Sequence, residues 1–356
     1  MSMWEVLVKR DDPATAEVRP VEPAPLGPGE VRVALEKVAM TTNNATYARF
    51  GDDAVIAFWN AFPGPDGLGR VPVWAFVRVT ESAHPDVAVG TRYYGYMPMA
   101  SHHVVAAQPV PGGFMDSAPE RSFLHPWYLT FERAGEPDEL DDRRAAVHCV
   151  YPASFNLADL VTRKAAEGAR TAVVTSASSK VSTGLAAELA ARAPGLATVG
   201  ITSARNVAFV TGLGLYDQVV SYEELETVPV TGPSVLVDVT GDPGIRTRAA
   251  AHLADGLVHT ALVGFTHPAA SVLPPSGMAG PEPEVFFTPA IEMAAAEAEG
   301  PEAYRARYAA AERRFLEQAG QWLSVTHRRG PDAIVASFRD LLTGEQRPDE
   351  IVVLAP

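Results

Sequence analysis

The sequence predicts an α/β protein with two parts, a small β-barrel and a doubly wound parallel sheet. Three observations carry this. Residues 1 to about 125 alternate short apolar runs with Pro/Gly punctuation, the pattern of a small barrel. From about residue 140 onward, strand-period and helix-period segments alternate, the pattern of a parallel sheet covered on both faces. Between them in weight is the stretch 169–192, ARTAVVTSASSKVSTGLAAELAAR, which reads as buried strand, tight turn and amphipathic helix.

The elements follow in order. Trp4–Lys9 is a short strand. Pro23–Gly29 is a turn, and Glu30–Met40 (EVRVALEKVAM) alternates well enough for a half-buried strand. Val71–Thr80 and Thr91–Tyr96 are further strands, separated by turns such as Pro63-Gly64-Pro65. Asp141 and Asp142 open a helical stretch, where negative charge suits the helix N-terminus. Strands 171–175, 197–202, 234–239 and 257–263 then alternate with helices 179–193, 204–212 and 245–254. Residues 290–324 are rich in Ala, Glu and Arg and form one or two helices, with a break at Gly300-Pro301. Pro331–Thr343 is a short amphipathic helix and Ile351–Leu354 a closing strand.

Composition excludes several classes. The chain has 356 residues, 47% hydrophobic and 20% charged, which suits a folded protein long enough for two domains. Its 29 basic and 43 acidic residues give a formal charge of −14. Such a chain is a poor non-specific binder of nucleic acid or of an anionic membrane, so any phosphate site must be a local positive pocket. The single cysteine, Cys149, excludes an internal disulfide framework and a multi-cysteine zinc site. The start of the chain, MSMWEVLVKRDD, has no apolar signal core, and no span approaches about 18 apolar residues. A reducing, cytoplasmic setting is expected.

The turn at 176–182 sits where a dinucleotide-binding domain places its glycine fingerprint, yet Ser176, Ser178, Ser179, Lys180 and Ser182 stand there. The first amides of a helix have no intrahelical partner and carry partial positive charge. Serines approach a phosphate less closely than glycines but add hydroxyls, and Lys180 adds a full charge. Plain helix capping by the serines, with Lys180 in solvent, is the other reading of the same residues. The following strand ends in Thr202-Ser203-Ala204-Arg205, with no acid to hold ribose hydroxyls and an arginine that suits a 2′-phosphate. This favours NADP(H) over NAD(H).

With these segments in view, the chain resembles the medium-chain dehydrogenase/reductase superfamily, in its zinc-free quinone and enoyl reductase branch. The resemblance is carried in order by LGPGEVRVALEKVAM, VGTRYYGYMPMASHHVV, VVTSASSKVSTG, LGLYDQVVSYEEL, VLVDVTGD, ALVGFTHP and VASFRDLLTGEQRPDEIVVLAP. More narrowly, TTNNATYARFGD, GRVPVWAFVRV, YGYMPMA and SASSK resemble the DUF2855 branch. The resemblance implies a GroES-like β-barrel catalytic domain (1–140 and 275–356) and a Rossmann doubly wound parallel-sheet nucleotide-binding domain (141–274).

It also implies roles. NADP(H) is the expected cofactor, held by Ser176, Ser178, Ser179, Lys180, Val181, Ser182, Thr202, Ser203 and Arg205, with Val263, Gly264 and Thr266 at the carboxamide. The family places an asparagine or threonine and a tyrosine near the nicotinamide. Here Asn43, Asn44 and Tyr47 match, Tyr47 as proton donor or orienting hydroxyl and the asparagines toward the carboxamide or substrate carbonyl. Capping of a helix at 44–50 is their plainer role. Pro152–Phe155 matches a helix facing the nicotinamide. Phe58, Trp59, Phe62, Trp74, Tyr94 and Tyr96 are pocket or core aromatics, and His125 and His267 read as structural. The pairs His102-His103 and His148-Cys149 cannot build a tetrahedral site, so no metal is expected.

The expected activity is a zinc-independent, NADPH-dependent reduction of an activated C=C bond or quinone-like acceptor. The expected partner is a small molecule with an activated double bond or carbonyl, and the family habit implies a homodimer. An alcohol/ketone oxidoreductase and a non-catalytic NADPH-binding sensor are the alternatives.

Overall fold

The computed structural model describes residues 3–53, 57–229, 232–264, 270–271 and 277–356. In chain order the first part holds β1 (Met3–Lys9), β2 (Ala16–Val21), β3 (Glu30–Ala39), α1 (Thr42–Arg49), β4 (Leu68–Gly69), β5 (Pro72–Ser82), β6 (Arg92–Pro98), β7 (His102–Val110), β8 (Gly113–Asp116), α2 (Pro126–Leu129), β9 (Thr130–Arg133) and α3 (Asp141–Val147). The middle holds α4 (Tyr151–Ala166), β10 (Thr171–Thr175), α5 (Lys180–Arg192), β11 (Ala197–Thr202), α6 (Val207–Gly212), β12 (Gln218–Ser221), β13 (Ser234–Asp238), α7 (Pro243–Leu253), β14 (Leu257–Leu262), β15 (Glu284–Val285), α8 (Thr288–Glu299) and α9 (Pro301–Ala319). The chain ends with β16 (Ser324–Arg329), α10 (Pro331–Thr343) and β17 (Glu350–Ala355).

Two compact units result, Met1–Ala146 with Leu323–Pro356, and Val147–Trp322. The second boundary differs from the expected 275. Residues 288–319 form α8 and α9, and both pack on α4 of the middle unit. The tyrosines explain the attachment: Tyr304 and Tyr308 set their rings against Phe155 of α4, at 5.7 and 5.4 Å. The break between the two helices falls at Gly300, where φ is +97°.

In the first unit β3 decides the architecture. Ten residues long, it pairs along its length with β5, through Glu30–Ala34 with β7, and through Val38 and Ala39 with β17. The order β3-β5-β6-β9-β8-β7 therefore closes on itself as a six-stranded antiparallel barrel, and β17 and β16 extend it. Closure leaves these strands without open edges. The buried guanidinium of Arg92 lies 4.1 Å from the Phe76 ring centroid and pairs with Glu36 and the buried Asp141.

In the middle unit the sheet order is β12-β11-β10-β13-β14-β15, all parallel. The strand sequence reverses between β10 and β13, the position where open α/β sheets form a binding crevice at their carboxyl ends. Strand residues alternate between two cores. Ala172, Val174, Val235 and Val237 pack with α4 and α5, while Val173, Val199, Ile201 and Leu236 pack with α7. Both faces are covered, which explains continuous apolar strands rather than alternating ones.

α4 and α5 cross closely because Gly184 has no side chain: a Cβ there would lie 2.6 Å from Ser154 Oγ and 2.9 Å from its Cβ. Gly184→Val is expected to lower stability by about 1–3 kcal/mol through overpacking, read as a lower Tm. An unchanged Tm would show that the two helices part easily.

Candidate functional site

The turn between β10 and α5 follows Thr175 at the end of a fully buried strand. Ser176 takes φ +49°, a left-handed conformation in which glycine is the usual occupant. Ser179 is the N-cap of α5: its Oγ accepts from the Ser182 amide at 3.1 Å and donates to Ser182 Oγ at 2.9 Å. Ser182 is fully buried, and its hydroxyl donates to the Thr175 carbonyl at 3.1 Å. The capping reading of Ser179 is thus correct. It leaves the first amides open, because none of the described residues accepts from the N–H groups of Ser178, Lys180 or Val181. Lys180 is half-buried at the first position of the helix, and burial lowers its ammonium pKa.

Neighbouring strands hold this turn in place. Thr202 Oγ1 and Asn206 Nδ2 both donate to Ser178 Oγ, at 3.2 and 3.0 Å. The buried Thr202 therefore braces the turn. Ser203 Oγ is buried with no partner among the described residues, and Arg205 is exposed on the helical turn Ala204–Asn206. Gly200 gives the turn room, since a Cβ there would come within 2.9 Å of Ala177 Cβ. Ser154 of α4 donates to the Val181 carbonyl at 2.8 Å, and Tyr216 donates to the Ser182 carbonyl at 2.9 Å. Sequence reasoning missed Tyr222, whose hydroxyl lies 3.2 Å from Ser176 Oγ. Its signal was its place directly after β12, at a carboxyl strand end.

A second network closes the floor of the same crevice. Thr175 Oγ1 donates to Asp238 Oδ1 at 2.8 Å and accepts from the Val239 amide at 2.9 Å. Arg246 Nε donates to Asp238 Oδ2 at 2.7 Å, both side chains being almost fully buried. Buried charge is tolerated here because the carboxylate is shared among guanidinium and hydroxyl donors. After β14, the Val263 amide donates to the Asp238 carbonyl at 2.8 Å. At Gly264 a Cβ would approach the Val239 carbonyl oxygen to 2.9 Å, so the backbone runs close at that position. Thr266, with Phe265 and His267, lies outside the described residues.

In the barrel unit, α1 presents the other sequence candidates. Asn44 is committed to the fold: its Oδ1 accepts from the Thr41 amide at 2.8 Å in a capping box, and its Nδ2 donates to the Pro72 carbonyl at 2.9 Å. Asn43, next to it, is half-exposed. Tyr47 is buried, its ring 4.5 Å from that of Phe58 and 5.6 Å from that of Tyr96. Its hydroxyl oxygen accepts from Trp74 Nε1 at 3.1 Å. Trp127 and Tyr128 complete this aromatic group around Trp74. The Tyr96 hydroxyl at its centre is buried with no partner among the described residues, and burial holds it firmly protonated.

Two further histidines, His125 and His148, are engaged by the fold. His125 Nδ1 caps α2 by accepting from the Trp127 amide at 3.2 Å. His148 Nδ1 lies 2.6 Å from Glu312 Oε1. Among the described residues no group of three or more His, Cys, Asp or Glu side chains is placed to hold a metal ion. Nor is any helix long and apolar enough to cross a membrane.

The closed barrel and the parallel sheet in the order β12-β11-β10-β13-β14-β15 are a GroES-like and a Rossmann-type architecture. The chain belongs to the DUF2855 family, described as a protein family of unknown function, whose model matches residues 38–347. No curated protein sequence matches the chain. Among solved structures it is similar to CurA from Vibrio vulnificus in complex with NADPH, with TM-score 0.65, 13% identity and 99% and 98% of the two chains covered. It is also similar to a mutant enoyl thioester reductase from Candida tropicalis (TM-score 0.61, 11% identity, 100% of each chain). A third is TarJ from S. aureus in complex with NADPH (TM-score 0.60, 10% identity, 100% and 99%).

His103 gives a pH dependence. Its ring is enclosed against Phe62, at 5.2 Å, with Nε2 unpartnered among the described residues. Burial, then the charges of Arg121 and Arg70, lower its pKa from 6.5 to about 3. Between those values the unfolded chain binds the proton and the folded one does not, so stability falls as pH falls through this interval. His103→Phe, which has nothing to protonate, should flatten that loss in denaturation curves compared at neutral and acid pH. Equal acid sensitivity in both proteins would place the effect elsewhere.

Proposed function

We propose that this protein is an NADPH-dependent oxidoreductase that reduces an activated C=C bond or a quinone-like acceptor without a metal ion. The observation that carries the proposal is the set of open amides at Ser178, Lys180 and Val181, at the switch point of the sheet. Helix-terminal N–H groups of this kind suit a pyrophosphate. The hydroxyls around them are already bonded to one another, so the turn needs no rearrangement to receive it. NADPH-containing structures of similar fold, CurA and TarJ, support the cofactor, and the similar enoyl thioester reductase supports the acceptor class.

In this reading the amides of Ser178, Lys180 and Val181 hold the pyrophosphate, with the Lys180 ammonium beside them. Arg205, Ser203 and the paired hydroxyls of Ser176 and Tyr222 take the ribose and its 2′-phosphate. Thr202, Ser179 and Ser182 act behind them by fixing the turn. The close backbone at Val263 and Gly264 leads toward the carboxamide, with Thr266. Bound NADPH supplies the hydride. Tyr47 supplies the proton: the indole N–H donated to its oxygen makes its own O–H a stronger donor, able to protonate developing negative charge on the substrate. Asn43 orients the substrate carbonyl. Asn44 takes no part, because both ends of its amide are engaged.

Loss of NADPH absorbance, followed with enones, unsaturated thioesters and quinones, tests the activity. Turnover with at least one of these acceptors is expected. Binding of NADPH without turnover on any of them would leave a binding protein instead. Tyr47→Phe is expected to lower kcat by about 10²-fold, the scale of a lost proton donor, with NADPH affinity unchanged. An unchanged kcat would remove Tyr47 from the chemistry. Arg205→Ala should weaken NADPH by about tenfold, the scale of one charge-assisted hydrogen bond, and leave NADH unaffected. An equal loss for both would show that Arg205 does not read the 2′-phosphate.

A further inference from the structure

The barrel unit contains a cavity of about 330 Å³ that the reading above does not use. Its wall is formed within this one unit, by β1, the segment after β2, the start of β7 and the residues Phe62 and Arg121. Most of the wall is apolar, with Trp4, Phe62, Pro98 and Val104 among its residues. Three guanidiniums, Arg32, Arg70 and Arg121, and two carboxylates, Glu5 and Glu22, line it, while Glu81, Asp116 and Glu120 pair with Arg32 and Arg121 from behind the wall.

The guanidiniums are built in rather than adventitious. Arg32 and Arg121 are only 4% and 7% exposed. Arg32 is held by Glu81 at 3.0 Å and by the Ala24 carbonyl. Arg121 is held by Asp116 at 2.6 Å and by the Ala61 carbonyl at 3.5 Å. Arg70 is held by both oxygens of Glu5, at 2.6 and 3.2 Å, and by the Pro63 carbonyl. After these bonds, Nη1 of Arg32 and Nη2 of Arg121 keep N–H groups with no acceptor among the described residues. Both side chains line the cavity, so these N–H groups are available to an acceptor placed in it. The neighbouring imidazole of His103 is held neutral, first by burial and then by the charges of Arg121 and Arg70, so it adds no charge of its own.

We propose that this cavity is a binding site for a small organic carboxylate with an apolar body. The carboxylate accepts from the open guanidinium N–H groups, a geometry that arginine matches well. The apolar body covers Trp4 and Phe62. The volume lies at the lower end for small-molecule pockets, which fits a single-ring or short-chain acid. The site is independent of the proposed reductase activity and needs no cofactor.

Calorimetric titration of the full chain with benzoate, benzamide and inorganic phosphate tests this. Benzoate is expected to bind about tenfold or more tighter than benzamide, the scale of a charge-assisted hydrogen bond, and tighter than phosphate, which has no apolar body. Arg32→Gln is the variant of choice, because its partner Glu81 is largely exposed and is not left as a buried charge. It should cost benzoate about tenfold and leave benzamide unchanged, with circular dichroism confirming the fold. No benzoate binding, equal binding of benzoate and benzamide, phosphate binding as tight as benzoate, or an Arg32→Gln affinity equal to that of the parent would each overturn the proposal. Because none of these readouts involves NADPH, failure here and failure of the reductase reading are separable.

Discussion

The middle unit depends on one constraint: the turn after β10 must pass from a buried strand to a helix start without glycine. Ser176 accepts the left-handed backbone at a cost of about 1 kcal/mol. Hydroxyl pairs offset it, through Ser176 with Tyr222, Ser178 with Thr202, and Ser179 with Ser182. Each pair ties the turn to a different element, so the conformation is set from three sides. A glycine loop approaches a phosphate closely because it is bare. This loop is stiffer, and its preorganisation reduces the ordering that binding would otherwise cost.

The same logic separates structural from functional candidates throughout the chain. A polar side chain with every group engaged, such as Asn44 or Thr202, belongs to the scaffold. The Asp238–Arg246 pair is likewise mostly internal, matched to Thr175 and Thr240 hydroxyls. Polar groups held at one end and open at the other are different. The first amides of α5 and the outer guanidinium nitrogens of Arg32 and Arg121 are of this kind. Each is oriented by the fold at no further entropic cost, which is how proteins prepare binding sites.

Much of this was legible in the sequence. The strands at 171–175 and 197–202 and the helix at 331–343 coincide with the observed elements because their apolar periods are unambiguous. The Gly300-Pro301 break was legible as well. The allegiance of 288–319 was not, because an Ala-rich helix carries no mark of which core its tyrosines enter. Asn44 read as a functional donor because a capping box and a catalytic asparagine use the same residue type. Tyr222 and the arginine-lined cavity escaped because their parts are far apart in the chain, and only the pairing of β3 with β7 and the bridge from Glu5 of β1 to Ala100 bring Trp4, Arg32 and His103 to one wall.

The central claim is that a serine-built turn holds a phosphorylated dinucleotide. Calorimetric titration with 2′-phospho-ADP-ribose and with ADP-ribose addresses the turn alone, since neither carries a nicotinamide. The account requires the 2′-phosphorylated compound to bind more tightly, by about tenfold for one additional charge-assisted contact. Failure of both to bind, or equal affinity for the two, would contradict it.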